Sequence, residues 1–344
     1  MKNLMDESKT LEELKQELAK EELLEQIEKN RWKNYFHIIL KDWRLYIMLI
    51  PMIFWYFCWR YIPMGGLIIA FKRFDLTTGM WDSNFAGFYH IQDLMFGNKA
   101  KEFWEAFRNT FLLSFYGLVF GFPIPIILAL FFSEIKNNLY RSVVQVFSYL
   151  PRFVSTVVVT TLTILLLRKG SEYIEPGVIS NLFYNMGLVP RTVNMMYAPQ
   201  YFRAIYHVTG IWETAGYGSI VYFAAIMAIS PTNYEAARID GASKMAQIRY
   251  VTLPGMASTL TIMLILRIGD LLNVGYEKIL LLANDKTYVT AQVISSYVYK
   301  IGMSATGGSY SLGASADLFN AVIAMLLVLG SNLISRKISD TSLF

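Results

Sequence analysis

Residues 231–256 read PTNYEAARIDGASKMAQIRYVTLPGM and lie between two apolar runs, 204–230 and 257–283. Connections between bundled helices usually take about 2–8 residues, and this longer one carries a helical design of its own. Pro231, Thr232 and Asn233 suit a helix start, and Glu235, Ala236, Ala237 and Arg238 propagate a helix well. Gly241 permits a sharp change of direction. Ala242 to Tyr250 then suits a second helix, which Leu253-Pro254 ends before the next apolar run. Small residues at 236, 237, 241 and 242 let the turn sit close to another surface.

The flanking runs are typical of the whole chain. Of 344 residues, 54% are apolar and 17% charged, where soluble domains carry about 25% charged residues. The mean hydropathy is +0.37. A single cysteine, Cys58, excludes a disulfide scaffold. With only His37, His90 and His207 beside it, a soft-metal site is a poor fit. The net charge of +5 divides into −4 over residues 1–30 and +9 over the rest. Its basic residues are scattered between apolar runs rather than gathered on one face, which argues for anionic lipid and against nucleic acid. These features predict an all-α integral membrane protein.

A spanning helix needs about 20 mostly apolar residues. Six stretches meet that need: 45–62, 106–132, 143–167, 204–230, 257–283 and 314–334. Pro123, Pro125 and Pro151 fall inside them, as membrane helices tolerate. With an internal N-terminus, the inside segments hold sixteen Lys and Arg, and the longer outside loops 60–105, 168–203 and 284–313 hold eleven. Both termini are therefore expected in the cytoplasm. Residues 1–44 divide into an acidic helix and a basic, aromatic stretch suited to the headgroup region. The membrane domain runs from 45 to 334, and 335–344 form a cytoplasmic tail. Residues 176–190 predict a short amphipathic helix at the outer surface, and Trp81, Phe85, Phe88 and Tyr89 stand in the first outer loop, set to pack on the membrane face or meet a partner.

The stretch at 231–256 resembles the EAA loop of binding-protein-dependent ABC importer permeases. The matching positions are Glu235, Ala236, Ala237, Asp240, Gly241, Ala242, Leu253 and Pro254. The resemblance extends through most of residues 100–335 and is closest to the sugar branch, similar to maltose-type importers. The segment IPMGGLIIAFKRFD (62–75) looks like the oligosaccharide and polysaccharide permeases of Gram-positive bacteria. The resemblance implies a type I ABC importer fold in the cell membrane, with the loop docking on an ATPase. It further implies a second, homologous permease in a heterodimer, two ABC ATPase subunits, an extracellular substrate-binding protein and an oligosaccharide substrate.

No energy-converting chemistry is evident in the chain. There is no G-x-x-x-x-G-K-[ST] run, and GASK (241–244) lacks the second glycine and the hydroxyl residue. ATP and Mg are expected on a partner ATPase, with no cofactor in this chain. Polar residues inside apolar runs mark a candidate substrate path. In 260–282, read as one helix, Arg267, Asp270 and Glu277 share a stripe, with Asn273 beside it. Each ionised group near the midplane costs about 2.5–3.5 kcal/mol on insertion scales, so such groups face water or partners. Two readings stand: a polar face toward substrate hydroxyls, and an Arg267–Asp270 ion pair tying helices together. The charges also permit an acidic sugar. In 211–223, Trp212 and Tyr217 suit stacking on sugar rings, with Glu213 and Thr214 as acceptors. Against that, Trp and Tyr also form interfacial belts, and Gly216 and Gly218 allow close helix packing. Arg152 either lines the same cavity or snorkels. An ABC permease for peptides or amino acids shares the loop. An ion-coupled transporter using Asp270 and Glu277 predicts inverted repeats, which the chain does not show.

Overall fold

The structure is a computed structural model that describes residues 41–302 and 309–338. The expected acidic helix of residues 1–30 lies outside the described residues, as do most of the basic, aromatic stretch 31–44 and most of the 335–344 tail. Among the described residues the chain is helical, with two isolated β-bridges and no strand. Among the described residues three helices are long and apolar enough to cross a membrane: Trp43–Phe71, Ala100–Glu134 and Tyr310–Arg336. Three bent helix pairs raise the number to six if each pair is one span.

The chain forms two units, divided after Gly66. The first contains α1 (Trp43–Tyr56), an apolar helix without a buried residue. It continues into a π-helical turn, Phe57–Tyr61, shortly before Pro63. Widening the turn there accommodates a residue that cannot donate its backbone hydrogen bond.

The second unit, Leu67–Phe344, is built mainly from α2 (Tyr89–Phe96), α3 (Ala100–Gly121), α4 (Pro123–Glu134), α5 (Asn138–Tyr149), α6 (Thr156–Leu167), α7 (Val178–Asn185) and α8 (Pro199–Met227). After these come α9 (Pro231–Ile239), α10 (Lys244–Gly255), α11 (Ala257–Gly269), α12 (Tyr276–Leu282), α13 (Ile294–Gly302) and α14 (Tyr310–Ile338). The amphipathic α7 falls inside the stretch expected for it. Ile179 and Phe183 pack on a core that includes Leu167, Ile279 and Leu282, while Val178, Leu182 and Met186 stay exposed.

Two expected spans are not single helices. The run 143–167 bends by 98° between the turn at Leu150–Phe153 and α6. Pro151 opens that turn, and Ser155 caps α6 by accepting from the Val158 backbone N–H at 3.4 Å. The run 257–283 breaks between Gly269 and Tyr276, where Asp270, Asn273 and Gly275 supply turn and cap chemistry. The Asn273 N–H donates to the Asp270 carbonyl at 3.0 Å, closing the turn locally.

Close backbone approach brings α8 against α5. A Cβ added at Gly216 would collide with the Ser148 carbonyl, so only glycine fits there. At the other end of α8, Arg203 donates to Asn109 Oδ1 at 2.9 Å, and Asn109 Nδ2 donates to the Val289 carbonyl at 2.8 Å. Thr110 Oγ1 accepts from the Ile294 N–H at 2.8 Å. These buried bonds pin the segment after α12 to α3 and α8, which holds the broken run in place.

Candidate functional site

The break between α11 and α12 opens into a cavity of about 620 Å³, walled by α3, α8, α11 and the non-helical segment itself. Irregular backbone at membrane depth is tolerated where it lines such a space, because its free N–H and C=O groups find water or substrate there. Of the expected path residues, Glu213, Thr214, Arg267, Asp270 and Asn273 line the cavity. Trp212, Tyr217 and Glu277 stand outside its lining. Trp212 is 53% exposed, and Tyr217 meets Phe153 edge-on with ring centroids 6.1 Å apart. Arg152, beside Phe153, is also away from the cavity.

The expected stripe of Arg267, Asp270 and Glu277 does not form, because the helix stops at Gly269 and restarts at Tyr276. Nor do Arg267 and Asp270 approach within ion-pair distance; both face the cavity separately. The buried ion pair is instead Lys278 Nζ to Glu213 Oε2, 3.1 Å, with side chains 11% and 9% exposed. Lys278 also lies over the Tyr206 ring at 5.6 Å. Restarting the helix turns Lys278, not Glu277, toward α8. The signal was present in the sequence: Gly269, Asp270, Asn273 and Gly275 cluster as turn formers inside an apolar run.

Tyr206, His207 and Ser114 also line the cavity, and sequence reading did not single them out for it. His207 Nε2 and Ser114 Oγ are buried with no hydrogen-bond partner. Gly117, Gly121 and Gly210 thin the wall beside them. A Cβ at Gly210 would lie 3.6 Å from Lys278 Nζ, so the absent side chains leave room for the basic groups.

The second site is the motif at 231–256. α9 begins at Pro231 itself, with Ser230 at the N-cap position, so the expected cap residues 231–233 form the first turn instead. It ends in a Schellman motif: the Gly241 N–H bonds the Arg238 carbonyl at 3.1 Å, and the Ala242 N–H bonds the Ala237 carbonyl at 2.8 Å. Gly241 has φ +78°, a region that costs other residues about 1–2 kcal/mol. Ser243 then caps α10 by accepting from the Ala246 N–H at 3.4 Å. α10 runs through Leu253 and Pro254 rather than ending before them, and a π-helical turn at Ile248–Thr252 makes room for the proline. The chain then bends by 66° into α11.

Within this chain little covers the motif. α9 has no buried residue, and Glu235, Ala236, Asp240 and Gly241 are all exposed. Ile239, Met245 and Tyr250 are 87%, 72% and 69% exposed, more apolar surface than a solvated turn requires. Tyr234 Oη and Thr252 Oγ1, 3.1 Å apart, brace α9 against α10, and Lys244 pairs with Glu134 at 2.6 Å.

Comparisons with known proteins agree with this architecture. One chain of the crystal structure of a bacterial alginate ABC transporter, in complex with an alginate pentasaccharide-bound periplasmic protein, superposes with a TM-score of 0.77. It shares 40% identity over 89% of this chain and 98% of its own length, which supplies the expected type I ABC importer fold. Protein LplB of Bacillus subtilis is 34% identical over 90% of this chain and 94% of its own. The polygalacturonan/rhamnogalacturonan transport system permease protein YteP of the same organism is 31% identical over 92% and 95%. Residues 121–340 match the family model for the binding-protein-dependent transport system inner membrane component, and the chain belongs to that family.

Proposed function

We propose that this chain is one permease subunit of an ATP-driven ABC importer that takes up oligosaccharides by alternating access. It crosses the cell membrane six times with both termini in the cytoplasm. It pairs with a second, homologous permease, two ABC ATPase subunits that bind ATP and Mg, and an extracellular binding protein that delivers the sugar.

One arrangement supports this reading above the others. The polar cavity lines the middle of the 29-residue helix α8, from Tyr206 to Tyr222, and the uncovered motif follows its C-terminal end, where the chain runs into α9 after a bend of 69°. From its C-terminal end to Glu213 this unbroken helix spans about 21 Å, so displacement of α9 by a partner is carried rigidly to Glu213 and the cavity wall. Glu235, Ala236, Ala237, Asp240, Gly241, Ala242, Leu253 and Pro254 would form the docking turn, and Glu213, Thr214, Arg267, Asp270 and Asn273 the sugar path. A saccharide substrate follows from the relatives named for alginate and for polygalacturonan and rhamnogalacturonan.

The test is reconstitution of the full complex in proteoliposomes with its binding protein. ATP-dependent uptake of oligosaccharides, stimulated by loaded binding protein, is expected. Uptake of peptides in preference to saccharides, or uptake driven by an ion gradient without ATP, would refute the assignment. A transporting homodimer of this chain would refute the paired-permease part alone.

A further inference from the structure

We propose that Arg267, His207 and Ser114 form an anion subsite in the cavity, which takes the carboxylate of a uronate unit in the transported sugar. The subsite rests on the saccharide-import reading above. Arg267 of α11 and His207 of α8 meet over the bare glycine face of α3, and Ser114 belongs to α3 itself. A Cβ at Gly117 would lie 3.7 Å from Arg267 Nη2 and 3.7 Å from His207 Cε1, and one at Gly121 would lie 3.9 Å from Arg267 Nη2. The guanidinium and the imidazole therefore converge on one spot. Ser114 is one turn from Gly117 on the same face of α3 and lines the same cavity.

All three groups lack partners. His207 Nε2 and Ser114 Oγ are buried without a hydrogen bond, and Arg267 makes neither an ion pair nor a hydrogen bond among the described residues. Buried polar groups are rarely left so, and two of them beside the exposed, unpaired guanidinium of Arg267 describe a receptor for an acceptor-rich ligand. A carboxylate suits them: its two oxygens accept a forked pair from a guanidinium and retain lone pairs for a hydroxyl and an imidazole N–H. A sugar hydroxyl would leave the guanidinium charge unanswered.

The other charges in the cavity leave this selectivity to Arg267. Lys278 is held by Glu213 at 3.1 Å, so that cation is neutralised and that carboxylate does not repel an anionic substrate. Asp270 lines the cavity beyond ion-pair distance from Arg267, placed to accept from sugar hydroxyls. One unpaired cation selects for charge while keeping the affinity modest enough for release.

Binding of an oligouronate and of its methyl ester, an uncharged form of the same sugar, to the purified full complex without binding protein tests the subsite. The wild type should prefer the charged form by about tenfold or more, the range expected for a charge-assisted contact. Arg267→Gln should bring the ratio of the two affinities near one, and Arg267→Lys should keep part of it. Gly117→Leu fills the subsite from the opposite wall without removing a charge, and it should also lower the ratio; it carries the test if Arg267→Gln fails to assemble. An unchanged ratio in both Arg267→Gln and Gly117→Leu, as a resident chloride or phosphate would give, overturns the subsite and leaves saccharide import standing. A wild-type complex that binds neither sugar form but binds peptides overturns the parent reading and the subsite together.

Discussion

The motif at 231–256 follows the C-terminal end of α8 and the cavity around Arg267 lines its middle, yet the two are assembled in opposite ways. The motif is made by neighbours. Pro231, Gly241 and Ser243 set its start, its turn and its restart, and the backbone hydrogen bonds of its turn span three to five residues of chain. The cavity is made by strangers. Ser114, Glu213, Arg267 and Lys278 come from α3, α8, α11 and α12, and the pair that stabilises it joins positions 65 apart. A locally built element resists changes elsewhere and fails at its own special residue. A cavity built across helices fails wherever one partner is lost, because the remaining group is then buried alone.

That contrast is broken or sharpened by four substitutions. The largest effect is expected in the cavity. Lys278→Gln leaves the Glu213 carboxylate buried and unpaired, a change worth about 3–5 kcal/mol in such pairs. A marked fall in thermal stability of the detergent-purified complex should follow, with much of it recovered in the double variant Glu213→Gln, Lys278→Gln. If the single variant melts like the wild type, the pair does not support the cavity.

The next effect belongs to the motif. An added Cβ at Gly241 meets no atom within 4 Å, so Gly241→Val acts through φ alone, at about 1–2 kcal/mol. Membrane insertion should be retained, while ATP hydrolysis loses its dependence on loaded binding protein. Gly241→Asn, which tolerates the left-handed region, should lose less. Normal stimulation in Gly241→Val would remove the turn from the coupling path.

Glu134→Gln tests how far the motif leans on the membrane helices. The Glu134–Lys244 pair is short but exposed, with side chains 47% and 62% accessible. Exposed pairs contribute about 0.2–1 kcal/mol, so a small loss of stability that vanishes at high salt is expected. A loss as large as that of Lys278→Gln would mean the motif is not self-sufficient. The smallest effect is expected from Asp270→Asn. Asp270 has no ion pair with Arg267, so stability should stay within about 0.5 kcal/mol of the wild type. A large loss restored by adding Arg267→Gln would reinstate the ion pair that the sequence suggested.

Legibility follows the same division. The motif could be read because capping, turn and helix-forming preferences act within a few residues, and Gly241 met the positive φ that its place in the turn demanded. Its second helix continues through Leu253-Pro254, where local preference predicts a stop, because a π-helical turn accommodates the proline. The membrane class and the apolar runs were legible from composition, because burying about 20 apolar residues per crossing leaves a pattern no soluble fold needs. Glu213, Thr214, Arg267, Asp270 and Asn273, which line the cavity, stand out in the sequence because polar groups in apolar runs are conspicuous.

What the sequence alone determined, then, was the helical membrane class, the looped motif and a short set of polar positions, each resting on local preference or on hydropathy. Which of those positions meet was decided by tertiary structure. The break at Asp270–Gly275 rotates α12 out of register with α11, turning Glu277 away and bringing Lys278 to Glu213. The glycines of α3 admit Arg267 and His207 to one spot, and the bend at Phe153 draws Tyr217 off to an aromatic contact. Helical spacing fixes neighbours only while a helix stays unbroken; across a break, the partner is chosen by which helix packs opposite and by which charge would otherwise be buried without an answer.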